Sequence, residues 1–557
     1  MTAQIKNKHE LIDLARRHIQ EGAIMQAFKI YYDLHVSYPE SEEILVELTG
    51  LNLHLENIDH AIDNLNKLVR INPFKKAYYD QLANCHARLG NWSETCDVFH
   101  ALLLQRPKSP DAHFNLAFYS RKNADFQKSL DSYQRALDLK IARPEEVYVN
   151  MAVICSEDLQ DYAQARAYLE DALAANPVYV PALYNLANYY EDLGHKDNSI
   201  KCFQKILDLQ PANAKTLARM AYINKYKSCD DGSIEKMHAL FDSTETLMVD
   251  KIDLGFALGK IYDDCEKFDK AFDFYRRANE LEKNSLSTYS HTDYESFVAA
   301  IIEFFDENWI ARFDNVSKDT PVFICGMFRS GSTLIEQILA SHPEVSAGGE
   351  KEYILKLVEN NISPFPSAAK NLNRSTLRQY AKSYIENATA RHPDARYITD
   401  KRPDNLIFIG LIKAMFPHAR IIFTERNALD NCLSVYFTRL QKRMNYANNL
   451  EDIYHHYQQH SRLKKHWHAL FKDALYTVNY DELIVSPRDE ISKMLDYLGL
   501  PWHDNCLQFE KLDNPVRTAS AWQIRQPLYA SSSGRWKNYQ EQAAVKNLHK
   551  LVNQQSQ

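Results

Sequence analysis

At 557 residues the chain exceeds what one compact core holds, so two or more domains are expected. Charge divides it: residues 321–557 hold 30 Lys and Arg against 23 Asp and Glu, and residues 1–320 hold 36 against 50. The acidic half argues against nucleic-acid binding, the basic half suits an anionic ligand, and nine scattered cysteines without a Cys-x-x-Cys pair imply a reducing compartment and no metal site.

The chain starts Met1-Thr-Ala-Gln-Ile-Lys-Asn-Lys-His-Glu10, polar and leading into an amphipathic helix. Without a signal peptide or membrane anchor there, a soluble cytoplasmic protein without membrane partners is expected. Pro39, Pro73, Pro107, Pro144, Pro177 and Pro211 then recur at steps of 34, 34, 37, 33 and 34 residues. Ala83, Ala117, Ala152, Ala187 and Ala221 recur in the same rhythm, in phrases such as Asn115-Leu-Ala-Phe-Tyr119. A period of that size means stacked units, and the resemblance it carries, to tetratricopeptide repeats, implies helical hairpins in which a small residue lets two helices approach and proline ends the second.

These features resemble tetratricopeptide repeats, with a further unit from Phe256 to Ala278 after a less regular stretch around Lys225 to Asp250. The resemblance implies an N-terminal all-α superhelix over residues 1–285 with a groove for a protein or peptide. The aromatics Tyr133, Phe203 and Phe274 are expected in its core, and Asn115, Asn150, Asn185 and Asn188 are groove candidates. Residues 286–320 read as a polar linker and a short aromatic helical segment.

Pro321-Val-Phe-Ile-Cys-Gly-Met-Phe-Arg-Ser-Gly-Ser-Thr333 changes period at its glycines. An apolar run is followed by a turn and then by Leu334, Ile335, Ile338 and Leu339 at helical spacing, which predicts strand, loop and helix. Gly326 and Gly331 permit tight turns, and amides from Ser330 to Thr333 can converge on an anion at a helix N-terminus. The spacing Gly-x4-Gly-Ser-Thr nearly matches the phosphate loop of nucleoside triphosphatases, but Ser332 stands where that motif needs lysine. Such a loop suits a phosphate carrying a less charged group, with Arg329 as a forked donor.

Arg329-Ser-Gly-Ser-Thr333 resembles the 5′-phosphosulfate loop of sulfotransferases that use 3′-phosphoadenosine 5′-phosphosulfate (PAPS) and is similar to the Arg-Ser-Gly-Thr-Thr signature of tyrosylprotein sulfotransferases, the resemblance being closest to the proteins that join tetratricopeptide repeats to such a domain. The likeness covers roughly residues 315–545. It implies a three-layer α/β domain over residues 321–557 with a parallel sheet, metal-free PAPS binding through Arg329, Ser330, Gly331, Ser332 and Thr333, and 3′-phosphoadenosine 5′-phosphate as product. In Val345-Ser-Ala-Gly-Gly-Glu350 the resemblance makes Glu350 the general base toward the acceptor hydroxyl, with Glu352 as the nearby rival. Arg396-Tyr-Ile-Thr-Asp-Lys401 reads as a strand delivering Lys401 to its C-terminal end. There the family places a cation at the bridging oxygen, with Arg402 the alternative.

Ala419-Arg-Ile-Ile-Phe-Thr-Glu-Arg426 is a second buried-strand pattern before a helix opening at Asn427. Arg426 and Ser434 match the family's arginine and serine for the 3′-phosphate; a guanidinium and a hydroxyl at a helix start suit a terminal phosphate. The tyrosylprotein enzymes carry another arginine four residues on, where this chain has Thr438 and then Arg439. Tyr480 matches a tyrosine near the nucleotide. Ser520 and Arg535, in Arg517-Thr-Ala-Ser520 and Gly534-Arg-Trp536, match the transition-state serine and a cofactor lysine, here replaced by arginine. Protein tyrosine, carbohydrate and small-molecule hydroxyls all fit as acceptor. The rival readings are a P-loop nucleotide phosphotransferase and a repeat scaffold with an inactive catalytic domain.

Overall fold

The computed structural model describes residues 2–389, 395–440, 443–512, 514–518, 520–528 and 532–555. It consists of two compact units, Met1–Leu186 and Ala187–Gln557.

In the first unit consecutive helices pack in pairs: Thr2–Gln20 with Ile24–Ser37, Glu42–His54 with Ile58–Ile71, Lys76–Arg88 with Trp92–Gln105, and Pro110–Lys122 with Phe126–Asp138. Ala83, Ala117 and Ala152 are buried where helices meet, and Tyr133 fills the core as its periodicity predicts. Pro39, Pro73 and Pro107 lie just past helices ending at Ser37, Ile71 and Gln105, where a missing N–H and a clashing ring stop the helix. Pro144 corrects the expectation that each proline ends a helix. Leu139–Arg143 separate it from the preceding helix, and it opens Pro144–Val153 in the first turn, where a missing N–H costs nothing. The 37-residue step is an enlarged loop.

The second unit begins inside the helix Val180–Asp192 and holds both the last repeat helices and the sheet. Its strands are β1 (Val322–Gly326), β2 (Val345–Ser346), β3 (Tyr397–Lys401), β4 (Arg420–Glu425) and β5 (Leu475–Asn479). They run parallel in the order β2-β3-β1-β4-β5. Alternation along β1 builds the two outer layers. Phe323 and Cys325 join one core with Leu411, Met415 and Trp467, while Val322 and Ile324 join the other with Ile335, Ile338 and Leu495. Both faces are covered by helices, which is why β1 and the middle of β4 read as nearly continuous apolar runs.

The compact division falls at Leu186, whereas the sequence grouped residues 1–285 together and set 286–320 apart as a linker. The last hairpin, Met248–Asp264 and Phe268–Lys283, has no further repeat to cover it. Its Phe256, Phe272 and Tyr275 instead share one core with Cys432, Leu433, Phe437 and Leu548, and Tyr275 stacks on Phe437 at 4.2 Å. The segment read as a linker contributes the helix His291–Phe304 and then Phe305, Trp309 and Phe313, all buried in the core beneath the sheet. No helix among the described residues is long and apolar enough to cross a membrane.

Candidate functional site

The strand order reverses between β1 and β4, so a crevice opens at their C-terminal ends, where open α/β sheets take ligands. The turn leaving β1 is shaped by its glycines. Gly326 has φ +151°, and a Cβ there would stand 2.5 Å from Thr424 O; Gly331 has φ +106°, and a Cβ there would stand 2.7 Å from the Tyr480 ring. Gly331 caps the helix Ser332–Ala340, so the amides of Ser332 and Thr333 belong to its first turn. Ser330 is fixed rather than free: its Oγ donates to Met327 O at 2.6 Å and lies 2.6 Å from Thr424 Oγ1.

Arg329 occupies left-handed backbone, φ +67°, which turns its side chain across the crevice. It donates to Ser434 Oγ at 3.2 Å, to Gln523 Oε1 at 2.8 Å and to Ser520 Oγ. Ser434 and Ser520, expected at the site from separate motifs, therefore meet on the Arg329 guanidinium. Ser434 is not at a helix start as the sequence suggested. Eight residues beyond Arg426 spans more than two turns, and Ser434 sits near the end of the helix Ala428–Tyr436, which Asn427 caps.

Arg426 follows β4 directly, its guanidinium 4.9 Å from the Tyr480 ring centroid and donating to Arg329 O at 3.4 Å and to Ser532 O. Its Nε is buried without a hydrogen-bond partner among the described residues. A phosphate oxygen would satisfy this orphaned cationic N–H beside the glycine turn, so the donor set fits a phosphate group. Tyr480 Oη lies 2.7 Å from Ser532 Oγ.

Arg535, expected at the cofactor, pairs with Asp263 at 2.5 Å, in the last turn of the helix Met248–Asp264, and lies over the Phe437 ring. Arg439 likewise turns to Asp253 at 2.6 Å and Glu282 at 3.0 Å rather than into the crevice. Ala519 and residues 529–531, inside the stretch read as the closing loop, lie outside the described residues.

Glu350 and Lys401 meet at the C-terminal end of β3: Lys401 Nζ lies 2.6 Å from Glu350 Oε1, with the lysine side chain 1% and the glutamate 39% exposed. The lysine is thus inside and its carboxylate partner reaches solvent. Glu352, the rival base, turns to Lys356 at 3.1 Å, with Arg402 at 4.0 Å. Burial acts upward on its carboxyl, but these cations outweigh it and leave the group below its ordinary range.

Glu336 had no sequence signal beyond being a carboxylate in an apolar run. It is 3% exposed and its Oε1 accepts from Gly349 N at 3.0 Å and Thr399 Oγ1 at 2.8 Å. Asp430 also went unread; it accepts from Gly534 N at 2.6 Å and Trp536 N at 2.8 Å, fastening the C-terminal segment to the helix after Arg426. Among the described residues no group of three or more His, Cys, Asp or Glu is arranged to hold a metal.

The architecture defines a class: a parallel α/β domain with an anion-binding turn at its switch point, joined to helical hairpin repeats. Residues 321–504 match the Sulfotransferase family, and residues 145–179, 180–213 and 256–285 match the Tetratricopeptide repeat. The chain therefore joins tetratricopeptide repeats to a domain of the sulfotransferase family. It is 28% identical over 424 residues to an uncharacterized protein of Aquifex aeolicus (strain VF5), covering 72% of this chain and 55% of that one. It is 22% identical over 251 residues to the protein-tyrosine sulfotransferase of Drosophila melanogaster, covering 40% of this chain and 48% of that one. The chain thus spans about half the length of these relatives. The solved sulfotransferase domain of the Synechococcus PCC 7002 olefin synthase is 18% identical and covers 44% of this chain and 98% of that one, with a TM-score of 0.34.

Proposed function

We propose that this protein transfers a sulfuryl group from PAPS to an acceptor hydroxyl. The observation that carries the reading is the Glu350–Lys401 pair, 2.6 Å apart at the end of β3, the strand beside the one that feeds the anion-binding turn. PAPS supplies a sulfuryl group on a phosphate oxygen, and transfer breaks that S–O bond as a new one forms to the acceptor oxygen. Glu350 takes the acceptor proton, and its solvent-reaching carboxylate suits a group that must meet an incoming hydroxyl. Lys401, bonded to the Glu350 carboxylate, and Ser520, bonded to Arg329, support the departing phosphate oxygen. The turn from Arg329 to Thr333 takes the 5′-phosphate, and Arg426 with Ser434 takes the 3′-phosphate. Tyr480 backs both sites, touching Gly331 on one side and Arg426 on the other.

The acceptor is a protein or peptide hydroxyl, tyrosine being the first candidate given the Drosophila relative, and the repeats recruit it. Incubation with radiolabelled PAPS and fractionated cell extract tests the reading, comparing wild type with Glu350→Ala. Label in a protein fraction that disappears with the variant is the expected result. Equal labelling by both, or none by either, overturns the assignment.

A further inference from the structure

Glu336 is a buried carboxylate in the helix after the anion-binding turn, and the proposed chemistry gives it no step. Buried carboxylates are costly unless they are satisfied, so its partners show what it is for. One oxygen receives two donors that belong to different elements: the amide of Gly349, directly before Glu350, and the hydroxyl of Thr399, two residues before Lys401. Neighbouring bonds complete a brace. Thr399 Oγ1 accepts from Gly348 N at 3.2 Å, and Gly349 O accepts from Lys401 N at 3.0 Å. The turn has no room to shift, since a Cβ on Gly348 would stand 2.0 Å from Thr399 O.

We infer that Glu336 is a positioning residue that locks the Gly348-Gly349-Glu350 turn against the end of β3, so that the general base and the leaving-group cation are held in mutual register. This rests on the proposed roles of Glu350 and Lys401. The electrostatics agree with the geometry: burial pushes the Glu336 carboxyl up, and the nearby Lys401 ammonium opposes that, so the lysine lies within reach of a second carboxylate besides Glu350.

The test uses the full chain and three readouts: amide hydrogen exchange by mass spectrometry, calorimetric affinity for 3′-phosphoadenosine 5′-phosphate, and label transfer from PAPS to the extract acceptor. Glu336→Leu removes the acceptor for both donors at similar volume. Exchange in peptides covering 347–352 should rise at least tenfold while the β1 and β4 peptides keep their protection, and transfer should fall about tenfold to a hundredfold at unchanged nucleotide affinity. Glu336→Gln keeps an oxygen for both donors and should restore local protection. Unchanged exchange at 347–352 in the Leu variant, or an equal rise throughout the sheet, overturns the inference. If the Leu variant does not fold, Thr399→Val deletes one donor and must produce the same local rise. Failure of the underlying reading has its own signature: Glu350→Gln then transfers at the wild-type rate whatever the exchange data show.

Discussion

The turn leaving β1 and the segment from Val516 to Trp536 both frame the crevice, but they are held there by different physics. The turn is local: Gly326, Gly331 and Ser330 set it through backbone geometry and bonds to the adjacent strand. The C-terminal segment is fastened from far along the chain. Arg517 pairs with Asp192 at 2.7 Å, Trp522 donates to Glu191 at 3.0 Å, Val516 N donates to Asp192 O at 2.9 Å, and Arg535 pairs with Asp263. Acidic residues at the ends of repeat helices thus secure basic residues of the C-terminal half. The helices that carry Asp192 and Asp263 help to shape the crevice.

Cutting the chain exaggerates this contrast most. A fragment of residues 315–557 uncovers the core shared by Phe256, Phe272 and Tyr275 with Leu433 and Phe437. It is expected to aggregate or fail to bind 3′-phosphoadenosine 5′-phosphate, while residues 187–557 fold and bind; gel filtration and calorimetry decide, and a soluble, binding 315–557 fragment would erase the distinction.

Glu350→Gln comes next. A positioned base contributes about 10²–10⁴-fold, so transfer should drop at least a hundredfold at near-unchanged nucleotide affinity. Lys401→Ala should cost a comparable factor, and the double variant less than the product, because both groups serve one transition state.

Arg426→Ala probes the local side of the comparison. Losing a charged donor should weaken 3′-phosphoadenosine 5′-phosphate by roughly 1.5–3 kcal/mol. AMP should be affected far less, and equal losses for the two nucleotides would remove Arg426 from the 3′-phosphate.

The smallest effect sharpens the long-range side. Burial raises Asp192 from its ordinary 3.8 to about 6, despite the opposing pull of Arg517. A carboxyl raised on folding adds stability that is complete below about pH 3.8 and is lost as pH rises through about 6. Asp192→Asn removes that loss, so thermal melts should show the variant gaining on wild type between pH 4 and pH 7. A difference independent of pH would mean that Asp192 is not the titrating group.

Much of the site was legible because it is written in short spans. The turn from Gly326 to Thr333 is specified by glycine spacing and a change of apolar period, β4 by the apolar run before Arg426, and β3 by the short strand pattern that ends in Lys401. The 34-residue rhythm likewise shows the hairpins, since each proline and alanine acts within its own repeat. Those features follow from backbone sterics and side-chain period, which act over a few residues.

Tertiary structure alone decided the rest. Nothing near Arg535 in sequence says that it pairs with Asp263, nor near Arg439 that it turns to Asp253 and Glu282. Glu336 gave no pattern because its helix is buried on all sides, so amphipathicity could not mark the position. Its meaning lies in two donors 13 and 63 residues away. Sequence period records that a repeat has an apolar face, but only packing determines whether the next repeat or a helix of the α/β domain covers it.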